Sequence, residues 1–393
     1  MRVLIVHWYY PPQVGGVETL LQLWGEQLTL RDHDVTILAA SLSEKDEIQQ
    51  KKDPRIIRLA SFDPDKKETS ILSQFRDSIR NFFERNQFDI IHFHNMFAPL
   101  TPLRTILIFE EGIRRKIPML MHSHCLNDSE IGKLLFSLSW DDAIFISEWH
   151  RKETLKFHLP FKRTDILYNG VRADYFQKEK GNSKRTRQEM KVNPEEKIIL
   201  WPSRIINPDG KPTARKKLDT LLKAGARIKK KTDKFKIVLL APAYGDKTVQ
   251  KQYLSAFDEL MSVNYLYQNI ILLSTRPSYL FMRDTYAACD IMCLPSVDEP
   301  FGLVFIEAMS MEKIVVGAKS GALPEIVDDG VNGYLIEPDN DRQLAELIMN
   351  IFELNEKEKS EIGERARHKV LENFSVEKMI DETIKIYKEF ACL

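Results

Sequence analysis

Two glutamates eight residues apart, Glu299 and Glu307, bracket the most chemically suggestive stretch of this 393-residue chain. It runs from Asp290 to Met309 as D-I-M-C-L-P-S-V-D-E-P-F-G-L-V-F-I-E-A-M. The apolar run ending at Leu294 predicts a strand, Pro295 and Pro300 punctuate a loop, and a helix is expected from about Gly302. Free N–H groups at a helix start, with the positive end of the helix dipole, make an anion site, and glycine lets a ligand approach the backbone there. Glu307 lies five residues into the expected helix, roughly 7 to 8 Å along its axis at 1.5 Å per residue. That is about the reach from a bound diphosphate to the ribose of the same nucleotide. Glu299, just ahead of the helix, would face whatever lies beyond the phosphates. A capped core helix carrying two surface glutamates accounts for the same spacing.

Histidines form a second group. Asp89 to Asn95 reads D-I-I-H-F-H-N and Met121 to Cys125 reads M-H-S-H-C, so His92/His94 and His122/His124 each sit at i and i+2 of an expected strand end. Both imidazoles of a pair then share one face. Four such rings could form a metal centre, but no Asp/Glu-rich segment of matching spacing accompanies them, and no metal is assigned. Three D-x-D patterns, Asp32/Asp34, Asp63/Asp65 and Asp339/Asp341, fall in expected turns or caps and are read as structural. Gly15-Gly16, after the first strand, suit a tight strand-to-helix turn and lack the spacing of a dinucleotide fingerprint.

The elements that must position these groups are legible from periodicity. Apolar runs at Val3–Val6, Val35–Leu38, Ile56–Leu59, Ile90–Phe93, Met119–Met121, Ala143–Ile146 and Asp165–Leu167 alternate with amphipathic stretches. The pattern begins again at Ile198–Trp201, Lys236–Leu240, Ile270–Leu273, Ile291–Leu294 and Ile314–Val316. Such alternation predicts parallel sheets covered on both faces, here two doubly wound sheets in succession. From Arg342 the chain reads as helices, ending in Val376–Phe390.

Composition bounds the function. Basic and acidic residues both number 57, and a net charge of zero argues against a nucleic-acid binder. The charge is segregated: 22 basic against 23 acidic groups over 1–170, 21 against 9 over 171–250, and 14 against 25 over 251–393. Cys125, Cys289, Cys293 and Cys392 are too few and too scattered for a disulfide framework, which fits a reducing compartment. Residues 1–6 read as a first strand and not a signal peptide, and no apolar run approaches the ~20 residues of a membrane span. A cytoplasmic protein is expected. The basic amphipathic stretches Phe75–Arg85 and Arg114–Lys116 leave peripheral membrane contact open.

The segment Glu299-Pro300-Phe301-Gly302-Leu303-Val304-Phe305-Ile306-Glu307 resembles the E-x7-E motif of retaining GT-B glycosyltransferases of family four, the group 1 glycosyl transferases. The flanking Asp290–Ser296 and Gly321-Ala322-Leu323-Pro324-Glu325-Ile326-Val327 are similar to that family too, as are Tyr10-Pro11-Pro12 through Glu18 and Trp201-Pro202-Ser203-Arg204. Phe136 onward and Ile146-Ser147 look like its strand and small-residue turn. The resemblance implies two Rossmann-like domains facing across a cleft. An acceptor domain would span 1–172 and a donor domain 173–375, with helix 376–393 crossing back to the first. It implies hexosyl transfer from a UDP- or GDP-sugar to a hydroxyl acceptor with retention, and no cofactor or metal.

By the same resemblance Glu299 holds sugar hydroxyls, and the amides around Phe301, Gly302 and Leu303 meet sugar and phosphate. Glu307 holds the ribose, Arg204 and Lys216 the diphosphate, and His124 the sugar; Gly16 approaches the donor phosphate, and Thr275 and Arg276 border the base. His92 and His94 are structural or near the acceptor. The sequence departs from the family pattern in a long loop over 205–215 and in Lys217, where glycine is common, so Lys217 competes with Lys216 for the diphosphate. A nucleotide-sugar epimerase, a phosphorylase or a non-catalytic partner protein of the same fold stays open.

Overall fold

The computed structural model describes residues 1–12, 15–41, 43, 45–49, 54–63, 69–96, 102–126, 129–203, 214–240, 255, 266–273 and 278–391, and within them the chain folds as two sheet-centred units. The first comprises Met1–Gly170 with Val376–Leu393, and the second Val171–Ser375. Both are the covered, mostly parallel sheets that the apolar runs predict.

In the first unit the strands are β1 (Arg2–Val6), β2 (Asp34–Ala40), β3 (Glu47–Gln49), β4 (Arg55–Leu59), β5 (Ile90–His94), β6 (Met119–Ser123), β7 (Asp142–Phe145) and β8 (Thr164–Ile166). They lie in the order β3-β4-β2-β1-β5-β6-β7-β8, and only the short exposed edge strand β3 runs antiparallel. Val3 to Val6 are fully buried because helices cover both faces of the sheet. The order reverses between β1 and β5, so the turn after β1 and the end of β5 are neighbours, joined by a 2.7 Å bond between His7 Nδ1 and the His94 carbonyl.

Phe136 does not open a strand but closes the helix Glu130–Phe136. Ser129 starts that helix by accepting from the Gly132 N–H at 3.0 Å, and helical spacing buries Leu135 and Phe136 together. The strand begins only at Asp142, after Trp140 has turned back to donate its ring N–H to the Leu135 carbonyl at 2.8 Å.

The terminal helix Val376–Phe390 belongs to this first unit. Its buried residues, Val376, Met379, Ile380, Thr383, Ile386 and Tyr387, recur at helical spacing along one face. Each large apolar side chain so buried is worth roughly 1.5–3 kcal/mol. Two polar bonds fix the helix in register: Trp24 Nε1 donates to Thr383 Oγ1 at 3.1 Å, and the Tyr387 hydroxyl meets His92 Nδ1 at 2.7 Å.

The second unit holds β9 (Lys197–Trp201), β10 (Phe235–Leu240), β11 (Ile270–Leu273), β12 (Ile291–Leu294), β13 (Ile314–Ala318) and β14 (Tyr334–Ile336), in the order β11-β10-β9-β12-β13-β14 and all parallel. The direction of winding switches between β9 and β12. In such sheets the loops leaving the carboxyl ends of the two strands at the switch diverge and leave a crevice where ligands bind. Here those loops carry Lys216, after β9, and Glu299, after β12. Among the described residues no helix is long and apolar enough to cross a membrane.

Candidate active site

Lys216 and Glu299, 83 residues apart in the chain, form an ion pair of 2.6 Å between Nζ and Oε2. Neither is deeply buried, with 29% and 16% of the side chains exposed, so a charged ligand can reach both. Backbone bonds explain how the pair is held. Lys216 ends the short 3-10 turn Ala214–Lys216, whose Arg215 carbonyl accepts the Val297 N–H at 2.9 Å. On the other side, Ser320 Oγ accepts the Asp298 N–H at 3.0 Å and the Glu299 carbonyl accepts the Ala322 N–H at 2.9 Å. Gly321 is required by this clasp: its φ is +63°, and a Cβ there would stand 2.5 Å from both the Glu299 nitrogen and carbonyl oxygen.

Lys217 is occupied elsewhere. It adopts φ +51° as the residue before the helix Leu218–Lys229, and its Nζ reaches Asp339 at 2.8 Å. Consecutive side chains at a helix start point in different directions, so only Lys216 meets Glu299. Asp339 thus pairs with Lys217, and Asp341 with Arg227.

The backbone turns from this loop into the helix Leu303–Ser310 through Gly302 at φ +110°, a conformation open to glycine. Phe301 anchors the turn, buried with its ring edge-on to Phe374 at 5.8 Å. One turn into the helix, Glu307 Oε2 accepts the Tyr286 hydroxyl at 2.7 Å. Tyr286 is fully buried on the helix Tyr279–Ala288, which Ser278 caps by accepting from the Phe281 N–H. Burial lifts the Glu307 carboxyl to about 7, partly offset by the Tyr286 bond, and drives the Tyr286 phenol well up. A carboxylate accepts about four hydrogen bonds, so one from Tyr286 leaves capacity for a pair of ligand hydroxyls. Nothing in the spacing of the sequence marked Tyr286, because its contact with Glu307 arises only from the packing of two helices.

In the first unit, β5 and β6 pair with His94 beside His122, and the even-numbered side chains of both strands point to one face. His92, His94, His122 and His124 therefore gather under Trp24, whose ring lies edge-on to all four at centroid distances of 5.1 to 6.3 Å. Burial holds all four imidazoles well below their usual range, His92 to about 3, and so neutral. His124 is the least buried, at 8% exposed against 0% for the others. Its Nε2 meets His94 Nδ1 at 2.9 Å, and its backbone N–H donates to Asn95 Oδ1 at 3.4 Å. Among the described residues one nitrogen from each of His92, His94 and His122 lies within 4.8 Å of the others, close enough to be drawn onto one metal ion. Gly16 opens the helix Gly16–Thr29 after an extended Gly15. That helix carries Trp24, and its Glu18 lies 3.6 Å from His7 Nε2.

Arg204, Thr275 and Arg276 lie outside the described residues, as do 205–213 of the long loop. The remaining sequence-predicted residues of the second unit, Lys216, Glu299, Phe301, Gly302, Leu303 and Glu307, cluster on the loops and helix start beside the β9/β12 switch. His124 and Gly16 belong to the first unit.

Comparisons with known proteins agree with this layout. The chain is 24% identical to an uncharacterized glycosyltransferase of Methanocaldococcus jannaschii, covering 99% of this chain and 98% of that protein. It is likewise 24% identical to the N-acetyl-alpha-D-glucosaminyl L-malate synthase of Bacillus anthracis, over 96% and 94%. Its fold matches the solved structure of Anabaena HepE in complex with UDP-glucose at a TM-score of 0.76, with 18% identity and coverage of 99% and 100%. The profile described as glycosyl transferases group 1 matches residues 183–369, and the profile described as glycosyltransferase family 4 matches residues 14–175. With both halves matched in this way, the chain belongs to the group 1, family-four glycosyltransferases, which have the GT-B fold.

Proposed function

We propose that the protein transfers a hexose from a nucleoside-diphosphate sugar to a hydroxyl acceptor, with retention at the anomeric carbon. The Lys216–Glu299 pair at the sheet switch carries the reading. In the free protein each charge satisfies the other. When a donor enters, Lys216 turns to the diphosphate and Glu299 to the hydroxyls of the sugar, so the pair is exchanged for ligand contacts without leaving a buried charge unpaired. Glu307, oriented by Tyr286, takes the ribose hydroxyls. The amides at Gly302 and Leu303 meet the phosphates at the positive end of the helix.

The reaction breaks the bond between the anomeric carbon and the phosphate oxygen. Negative charge grows on the departing diphosphate, and Lys216 with Arg204 offsets it, so the transfer itself needs no metal. The acceptor hydroxyl attacks from the face the diphosphate leaves, and a phosphate oxygen takes its proton. No carboxylate nucleophile is required, unlike the two-carboxylate retaining glycosidases. Thr275 and Arg276 border the base. UDP-glucose is the first donor to test, since Anabaena HepE holds it. Sugar linked to a hydroxy acid in the name of the Bacillus anthracis relative makes small hydroxy acids the first acceptors to try.

The test is incubation with UDP-, GDP- and ADP-sugars, with and without acceptors, read by nucleoside-diphosphate release and by the anomeric proton of the product. An α-linked product from an α-linked donor is expected. Inverted product, or a nucleotide sugar converted to its epimer without acceptor, would overturn the assignment.

A further inference from the structure

We propose that His92, His94 and His122 bind a divalent transition-metal ion of the zinc class in the core of the first unit. The proposed transfer needs no such ion, and the paired histidine spacing alone does not assign one. The structure supplies that reason in the hydrogen bonds of the rings.

Buried polar nitrogens in folded proteins nearly always have partners. Yet His92 Nε2, His94 Nε2 and both nitrogens of His122 are buried with no hydrogen-bond partner among the described residues. All three rings are 0% exposed. The other nitrogen of two of them is taken: His92 Nδ1 by the Tyr387 hydroxyl at 2.7 Å, and His94 Nδ1 by His124 Nε2 at 2.9 Å. This is how metal-binding imidazoles are usually held, one nitrogen donating to an outer partner and the other presenting its lone pair inward. If His92 donates to Tyr387 and His94 to His124, the two Nε2 atoms carry the lone pairs, and His122 can offer a third.

One nitrogen of each ring lies within 4.8 Å of the others. Nitrogens on a zinc ion at about 2.0–2.1 Å stand roughly 3.4 Å apart, so ring movements of under about 1 Å close the set. Three neutral imidazoles suit zinc, copper or nickel and not magnesium or calcium. The fourth position would go to a water or hydroxide, and Trp24 packs edge-on to each of the three rings. Ligation would join β5 to β6 at their carboxyl ends and fix the His94 N–H toward His124. Bound metal is read directly and not through sugar transfer, so failure of this proposal is distinguishable from failure of the proposed function.

The full chain, produced in zinc-supplemented medium and desalted, should carry about one zinc per chain by elemental analysis. Cobalt introduced during refolding should give the visible bands of a four- or five-coordinate imidazole site. His122→Leu removes two unpartnered nitrogens and no hydrogen bond seen here, so it should fold and lose the metal. His368→Ala, on an exposed ring, should keep it. Wild-type protein with no zinc and a featureless cobalt spectrum would overturn the proposal, and so would His122→Leu retaining a full equivalent. Should His122→Leu fail to fold, the wild-type cobalt spectrum decides alone.

Discussion

The two units hold their polar groups in opposite ways. In the first, four histidines are buried, neutral and stacked beneath a tryptophan. In the second, Lys216 and Glu299 form an ion pair of 2.6 Å at a partly exposed loop. A neutral ring buried without partners for its nitrogens is costly, and a buried charge is costlier still unless it is paired. The charged donor proposed for the second unit and the metal ion proposed for the first follow this difference.

Breaking the charged side should give the largest effect. Lys216→Met removes the cation proposed to offset the leaving diphosphate, and turnover should fall about 10²–10³-fold with the fold intact, measured by nucleoside-diphosphate release. Gly321→Ala comes next. Its added Cβ meets the Glu299 backbone at 2.5 Å in a left-handed conformation, so stability should drop by roughly 1–3 kcal/mol by denaturant titration, with activity lost as Glu299 is displaced. On the neutral side the effect should be smallest. Tyr387→Phe removes one hydroxyl from His92 and should cost roughly 1 kcal/mol of stability while leaving nucleotide affinity unchanged. A loss of turnover in Tyr387→Phe as large as in Lys216→Met would erase the contrast between the units.

Much of the second unit's site was legible because its signals are local. Pro295, Pro300 and Gly302 mark one loop and one helix start, and the glutamates sit on either side of it. The contacts that make it a site are not local. Tyr286 reaches Glu307 from another helix, Gly321 clasps Glu299 from the following turn, and Lys216 rather than Lys217 meets Glu299 because of a left-handed residue at the helix start. In the first unit the i, i+2 spacing placed each histidine pair on one face, but the convergence of both pairs on Trp24 depends on which strands are neighbours. The family resemblance implies a strand from Phe136 onward, whereas the Ser129 cap starts a helix that Phe136 closes.

The sign of one pH dependence follows from the second unit. The Glu307 carboxyl, lifted to about 7, holds a proton in the folded state that the unfolded chain has released, so its contribution to stability falls as pH rises from its ordinary value toward 7. Accepting ribose hydroxyls favours the ionised form, so nucleotide binding should run the other way and tighten as pH rises through 7. Calorimetric titration of UDP, GDP and ADP into wild-type and Glu307→Gln protein between pH 6 and pH 8 measures this directly. One nucleotide should bind wild type more tightly at the higher pH, with affinity about tenfold weaker and flat with pH in Glu307→Gln, a loss of roughly 1.4 kcal/mol. Equal affinity and equal pH dependence in the two proteins would contradict the placement of the nucleotide in the second unit.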